Sequence, residues 1–239
     1  MKTYLFAFLT VVLSGANAAL APFIKPCKLN DKECVKSSAT AAIPFIVPGI
    51  PALDIPPSEP LYIKQATSDQ GEMKLTFNDM NIYGLSQSTF NNVEMDEAKS
   101  VIRIELETPL FANGTYKLEG KILFIPAEGE GNIEIKTDKV KVFIDVKYTT
   151  ITDKKGDKYW KLTSYDYKYD LINKVYFMPE NLFGGDATRA KPLLELFDQS
   201  WKELITELGA PIIKDVVKIA IERVKKFFLA VSISELVQS

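Results

Sequence analysis

Gly84-Leu85-Ser86-Gln87-Ser88 has the outline of a nucleophile elbow, the turn that exposes a serine hydroxyl for acyl transfer. Its fifth residue is serine rather than glycine, and a reacting hydroxyl needs a base to take its proton. The 239-residue chain contains no histidine. Without imidazole there is no Ser-His-Asp triad, no Cys-His pair, no imidazole zinc site and no imidazole pH switch. The stretch therefore reads as a turn. The acidic pairs Glu105/Glu107 and Glu128/Glu130 have the residue types for acid–base work. Two apart on alternating strands, they fall on the solvated face, where salt bridging is the stronger reading. Asp153, Gly156 and Asp157 resemble part of a calcium loop, but Lys154 and Lys155 stand between them and the EF-hand pattern is absent. Gly184-Gly185-Asp186 lacks the following Lys-Ser/Thr of a phosphate loop and reads as a helix lead-in. Two cysteines are too few for a four-thiolate metal centre. The sequence predicts a non-enzyme with no cofactor and no metal.

Charge and the chain's start narrow the remaining classes. Lys and Arg number 29 against 31 Asp and Glu, a net charge of −2, which argues against a general nucleic-acid binder. Hydrophobic residues make up 46% and aromatics 11%, enough for a sizeable core. Lys2, the apolar run Tyr4–Leu13 and Ala16-Asn17-Ala18 have the layout of a secretory leader over residues 1–18, cleaved after Ala18. The run is short for a membrane anchor. A secreted, extracellular protein of one domain over residues 19–239 is expected, and a monomer. In an oxidising compartment Cys27 and Cys34 read as a structural disulfide, worth about 2–3 kcal/mol in the chain-entropy model. Their spacing is not that of a C-x-x-C redox pair. Asn113-Gly114-Thr115 is a glycosylation sequon at Asn113, and Asn-Gly is also a hairpin-turn signal.

The elements that must carry these residues follow from periodicity. Asn30 and Asp31 can cap a helix over 28–46 that runs through Val35, Ala39, Ala42 and Ile43. Pro44, Pro48, Pro51, Pro56, Pro57 and Pro60 then predict an extended connector. From Leu61 to Phe177 the period is two. Met73, Leu75 and Phe77 share a face; so do Ile102, Ile104 and Leu106. Tyr116, Leu118, Ile122 and Phe124 form another such row, with Val140, Val142, Ile144 and Val146, and then Tyr165, Tyr167 and Tyr169. This is an antiparallel sheet with one wet and one buried face. A phase slip between Phe77 and Met80 places a bulge near Asn78-Asp79. Turns are expected at Asn113-Gly114, Gly129–Gly131 and Lys155-Gly156. After Asn181 the period is helical. Leu193, Leu194, Phe197, Trp201, Leu204, Ile205 and Leu208 form a stripe, broken at Gly209-Ala210-Pro211 and resumed from Ile212 to Phe228. Lys214, Lys218, Glu222, Arg223, Lys225 and Lys226 occupy the opposite face. The order helix, strands, helix makes an α+β fold, a curved sheet with its apolar face on a long C-terminal helix.

The leader, the early cysteine pair, Gly49-Ile50-Pro51 and Ile55-Pro56-Pro57-Ser58-Glu59-Pro60-Leu61 together resemble the insect takeout and juvenile hormone binding protein family. Asn181-Leu182-Phe183-Gly184-Gly185-Asp186 is similar to that family's Leu-Phe-Asn-Gly-Asp element, and Trp201 with Glu203 resembles its Asn-x-x-Trp stretch, although Ser200 precedes Trp201 here. Ser58-Glu59 replaces the usual Leu-Asp, and Gly184 the usual asparagine. The likeness implies a long C-terminal helix wrapped by a strongly curved antiparallel sheet, the TULIP-like lipid-binding fold, with an internal hydrophobic tunnel. It implies a carrier for a long-chain lipid, isoprenoid or terpenoid hormone-like ligand. The lack of cysteines for a second disulfide points to the takeout branch. The lining candidates are Met73, Leu75, Phe77, Ile102, Ile104, Leu106, Tyr116, Leu118, Ile122, Phe124, Val142, Ile144, Tyr165, Tyr167, Leu193, Phe197, Trp201, Leu204, Ile205 and Leu208. The alternative is a module that binds a receptor or membrane acceptor through the basic terminal helix, with Lys225 and Lys226 as its contacts.

Overall fold

Period-two alternation continues much further along two strands than the glycine signals imply. The computed structural model describes residues 20–238, so the leader read over 1–18 lies outside them. α1 (Lys32–Ile46) is followed by β1 (Leu61–Gln70), β2 (Met73–Tyr83), β3 (Thr89–Asp96), β4 (Val101–Ile122), β5 (Ile125–Pro126), β6 (Gly129–Thr152), β7 (Lys158–Leu171) and β8 (Tyr176–Pro179). The chain ends in α2 (Ala187–Gln199), α3 (Trp201–Leu208), α4 (Ala210–Ala230) and α5 (Ile233–Leu236). The strands form one antiparallel sheet in the order β1-β2-β4-β6-β7, with β3 and β5 also pairing with β4, and β8 with β6.

β4 and β6, of 22 and 24 residues, are its spine. At about 3.3 Å per residue each spans roughly 70–80 Å of extended chain. Strands this long must bend, and the register slips show where. Pro109 lies inside β4, has no N–H for the ladder, and sits at a slip between Thr108 and Leu110. β2 slips between Asn78 and Asn81, at the bulge read from the sequence.

Asn113-Gly114 is not a turn. It lies in mid-β4, paired with β2 on one side and β6 on the other. Glycine is required there by close approach: a Cβ on Gly114 would meet Met80 Sδ at 2.5 Å and the Asn78 carbonyl at 2.8 Å, both at the β2 bulge. Gly129–Gly131 likewise opens β6 and pairs with Leu118–Tyr116 instead of turning. The turn at Lys155-Gly156 is present, closed by Asp153 Oδ1, which accepts from the Lys155 and Asp157 N–H groups at 2.8 and 2.9 Å. That is an Asx turn, the use found for the residues that resembled a calcium loop.

The helices depart from expectation at two points. α1 continues through Pro44 to Ile46, so that proline belongs to the helix and not to the connector. Its N-terminus is capped as read: Asp31 Oδ1 accepts from the Cys34 N–H at 3.0 Å. The C-terminal helix is broken at Ser200 as well as at Gly209. Asp186 caps α2 through the Thr188 and Arg189 N–H groups, so Gly184-Gly185-Asp186 does lead into a helix.

α4 packs against both β1 and β7, the two ends of the strand order. A sheet whose opposite edges meet one helix is wrapped around it, and the helix covers both edges. The termini are tied nearby. Cys27 is disulfide-bonded to Cys34, and its N–H and C=O bond to Leu236 and Gln238 at 3.3 and 3.0 Å. A parallel β-bridge between Cys27 and Val237 thereby locks the first described residues onto the last.

Candidate functional site

The wrapped sheet does not close down on the helix. A cavity of about 320 Å³ remains between them. β4 contributes Leu106, Leu110, Ala112, Tyr116, Leu118 and Ile122; β2 contributes Leu75, Phe77, Met80 and Ile82; β6 contributes Ile133, Ile135, Val142 and Ile144. Tyr167, Tyr169 and Leu171 come from β7, Phe197 from α2, Leu204, Ile205 and Leu208 from α3, and Ile212, Ile213, Val216, Val217 and Ala220 from α4. The wall follows β4 from Leu106 to Ile122, about 50 Å of extended strand, so the space is elongated.

Many of these interior apolar residues, including Leu75, Leu110, Ile144, Phe197, Ile212 and Val216, are only half-buried. In a packed core they would be covered. Their remaining surface faces the void.

The few polar atoms of the wall are largely spoken for. Thr108 Oγ1 donates to the Gly84 carbonyl at 2.8 Å, Thr137 Oγ1 to Asn173 O at 3.3 Å, and the Tyr116 hydroxyl to Glu180 O at 2.7 Å. Burial pushes the Tyr116 hydroxyl up to about 12 and also raises Tyr167 and Tyr169, with a smaller contribution from the neighbouring tyrosine in each case. Among the described residues the wall carries no carboxylate or ammonium. What this space can offer a molecule is removal of hydrocarbon from water.

Of the residues singled out from sequence, Leu75, Phe77, Leu106, Tyr116, Leu118, Ile122, Val142, Ile144, Tyr167, Phe197, Leu204, Ile205 and Leu208 stand on the wall. Met73 and Leu193 instead pack into the core cluster around Leu61 and Tyr116, and Leu193 is fully buried. Ile102, Ile104 and Tyr165 belong with Val93, Val146, Trp160 and Ile221 in a second cluster, where the Trp160 ring lies 5.5 Å from Phe228 of α4. Trp201 is half-buried at the start of α3, off the wall. Phe124 needs correction: it is 94% exposed in the β4–β5 turn beside exposed Leu123. Alternation ends where the strand ends, and Phe124 is two residues past Ile122. Ile133 and Ile135 went unnoticed because reading Gly129–Gly131 as a turn removed the start of β6.

The elbow-like stretch is explained by its neighbours. Glu59 accepts hydrogen bonds from the Gly84 and Ser86 N–H groups at 2.9 and 2.7 Å. Partial burial pushes the Glu59 carboxyl up, but hydrogen bonds from Ser86 and Gly84 outweigh it and hold the pKa below the ordinary glutamate value. A carboxylate so stabilised is a poor base, and here it clamps a turn. The basic face of α4 is also partly spent: Lys225 pairs with Glu222 and Lys226 with Asp54, each at 2.6 Å. Among the described residues no group of three or more His, Cys, Asp or Glu could hold a metal, and no helix is long and apolar enough to cross a membrane.

The family model described as haemolymph juvenile hormone binding protein (JHBP) matches residues 5–238. The chain belongs to that family. Members are binding proteins rather than enzymes, and with its apolar cavity this JHBP-family chain is a carrier for hydrophobic ligands. The crystal structure of Epiphyas postvittana Takeout 1 superposes with a TM-score of 0.87 at 24% identity, over 90% of this chain and all of that one, which shows the same fold. "Circadian clock-controlled protein daywake" of Drosophila melanogaster is 24% identical over 198 residues, 77% of this chain and 75% of its own length. A Schistocerca gregaria protein named "Putative beta-carotene-binding protein" is 26% identical over 133 residues, 54% of this chain and 53% of its own.

Proposed function

We propose that residues 19–239 form a secreted, monomeric carrier domain of the takeout branch that encloses one long apolar molecule, a lipid chain, isoprenoid or terpenoid. The observation that carries this reading is the elongated cavity whose half-buried wall residues are almost all hydrocarbon. Burial contributes about 0.8 kcal/mol per methylene, so a chain of a dozen or so carbons outweighs the cost of immobilising it without needing a polar anchor. Selectivity then rests on length and shape and is modest per methylene. The relative named for β-carotene binding supports the same ligand class. The leader-like residues 1–18, the disulfide and the family's haemolymph description support secretion, and Asn113, on the face of β4 opposite Ala112, is the proposed glycan site. Delivery to a membrane or receptor acceptor completes the role. The test is mass spectrometry of organic extract from natively purified protein, with titration of an apolar fluorescent probe. Protein that carries no lipid and takes up no probe refutes it.

A further inference from the structure

Arg223 does not share the fate of its basic neighbours on α4. Its Nε and Nη1 are buried without a hydrogen-bond partner, and no carboxylate among the described residues pairs with it. Burial lowers its pKa from the ordinary arginine value, the direction expected of a cation withdrawn from water without compensation. Buried unsatisfied donors are rare in folded proteins because each forfeits its bonds to water. The side chain lines a second hollow, a surface groove of about 420 Å³ between β1 and α4.

The charges around that groove do not cancel. Lys64, Lys218, Arg223 and Lys226 line it with Asp215 and Glu222. Glu222 is engaged by Lys225 and Lys226 by Asp54, which leaves Lys64, Lys218 and Arg223 facing Asp215 alone. A guanidinium lining the groove offers a charge-assisted donor to an anion there, and lysines add mobile point charges beside it. Ile63 lines both this groove and the apolar cavity.

We propose that the groove is a binding site for an oxyanion, a carboxylate or phosphate, held by Arg223 with Lys64 and Lys218 beside it. The anion is either free in solution or the head group of a lipid. The site stands on its own geometry and does not require the cavity to be filled.

The full chain purified in native form is titrated with inorganic phosphate by calorimetry. It is also sedimented with phosphatidylcholine vesicles with and without phosphatidic acid. Saturable phosphate binding that weakens about tenfold in Arg223→Gln, the loss of one charge-assisted contact, identifies a free-anion site. Binding only to vesicles containing phosphatidic acid, weakened to the same degree, identifies a head-group site. Lys218→Gln, a change at an exposed position, weakens binding about threefold in either case and keeps the test open should Arg223→Gln not fold. Binding to neither probe, equal binding to both kinds of vesicle, or binding that neither variant weakens overturns the proposal. Uptake of an apolar probe, measured on the same samples, stays unchanged in both variants and reports separately on the carrier reading.

Discussion

Replacing Ala220 by leucine distinguishes a cavity from a core. Ala220 lies on α4, is half-buried and lines the cavity. Alanine and leucine are both strong helix formers, so the backbone cost is a few tenths of a kcal/mol at most. Leucine adds three carbons directed into the space. At about 0.8 kcal/mol each, they displace roughly 2.4 kcal/mol of ligand burial, a loss of about fiftyfold in affinity for a ligand that fills the cavity. In the free protein the same carbons bury themselves against Val216, Val217 and the β7 tyrosines, so the melting temperature holds or rises. A packed site responds in the opposite sense. Overpacking costs about 1–3 kcal/mol, and at this chain length each kcal/mol lowers the melting temperature by about 2–4 °C. Probe titration and thermal unfolding of the two ligand-free proteins measure both quantities. A lower melting temperature with unchanged probe affinity refutes the assignment of this space as the ligand site.

Other outcomes follow from the same structure. Leu193→Ala, at a fully buried position in the first core cluster, lowers unfolding stability by about 2–5 kcal/mol, measured in denaturant, and leaves affinity nearly unchanged in protein that remains folded. Ligand affinity is flat between about pH 5 and 8, because the chain has no histidine and the cavity wall, among the described residues, no carboxylate or ammonium; a titration that changes tenfold across that range contradicts it. Glu59 has its pKa lowered on folding, so its contribution to stability is complete above the ordinary glutamate range and fades as pH falls through the lowered folded value. Glu59→Gln therefore lowers stability at neutral pH and flattens the acid limb of the stability curve. Glycosidase treatment of protein secreted by insect cells removes mass from the wild type but not from Asn113→Gln.

The sheet, its inward faces and the bulge near Asn78-Asp79 were legible because period-two patterning is a direct consequence of strand geometry. The length of the strands was not. Gly114, Gly129 and Gly131 carry the residue type of turns, yet Gly114 serves a close approach to a bulge on a strand more than thirty residues earlier. Such an approach is tertiary, so nothing beside Gly114 in the chain announces it. Pro44 misled in the same way: one missing donor near the end of a helix is tolerated when the final turn is held by contacts elsewhere. Helical spacing alone places Arg223 on the wet face of the last helix. The hairpin edge β1 lies over that part of the helix and buries part of the side chain.

Which candidates reached the wall follows from position along β4. At its start, Ile102 and Ile104 join Val146, Trp160 and Ile221 in a packed cluster. Towards its far end, Met73, Ala127, Leu182 and Leu193 join Ile122 in the first core cluster. The open space runs along the inward side from Leu106 to Ile122, and its far half shares Ala112, Tyr116, Leu118 and Ile122 with that cluster. An unfilled interior is costly, since every wall atom lacks a packing partner. The clusters at either end, the continuous β4–β6 ladder and the tied termini supply the stability that the middle does not. Alternation marks every inward residue alike and cannot separate these zones. The consequence is a division of labour along β4: substitutions at Ile102 cost the fold, whereas substitutions at Leu106 or Leu110 change what the space can hold. A ligand that fills the space restores the missing contacts. Added lipid should therefore raise the melting temperature of the wild type and of Ile102→Val in parallel, and much less that of Ala220→Leu. Equal stabilisation of all three would mean that the lipid binds outside this cavity.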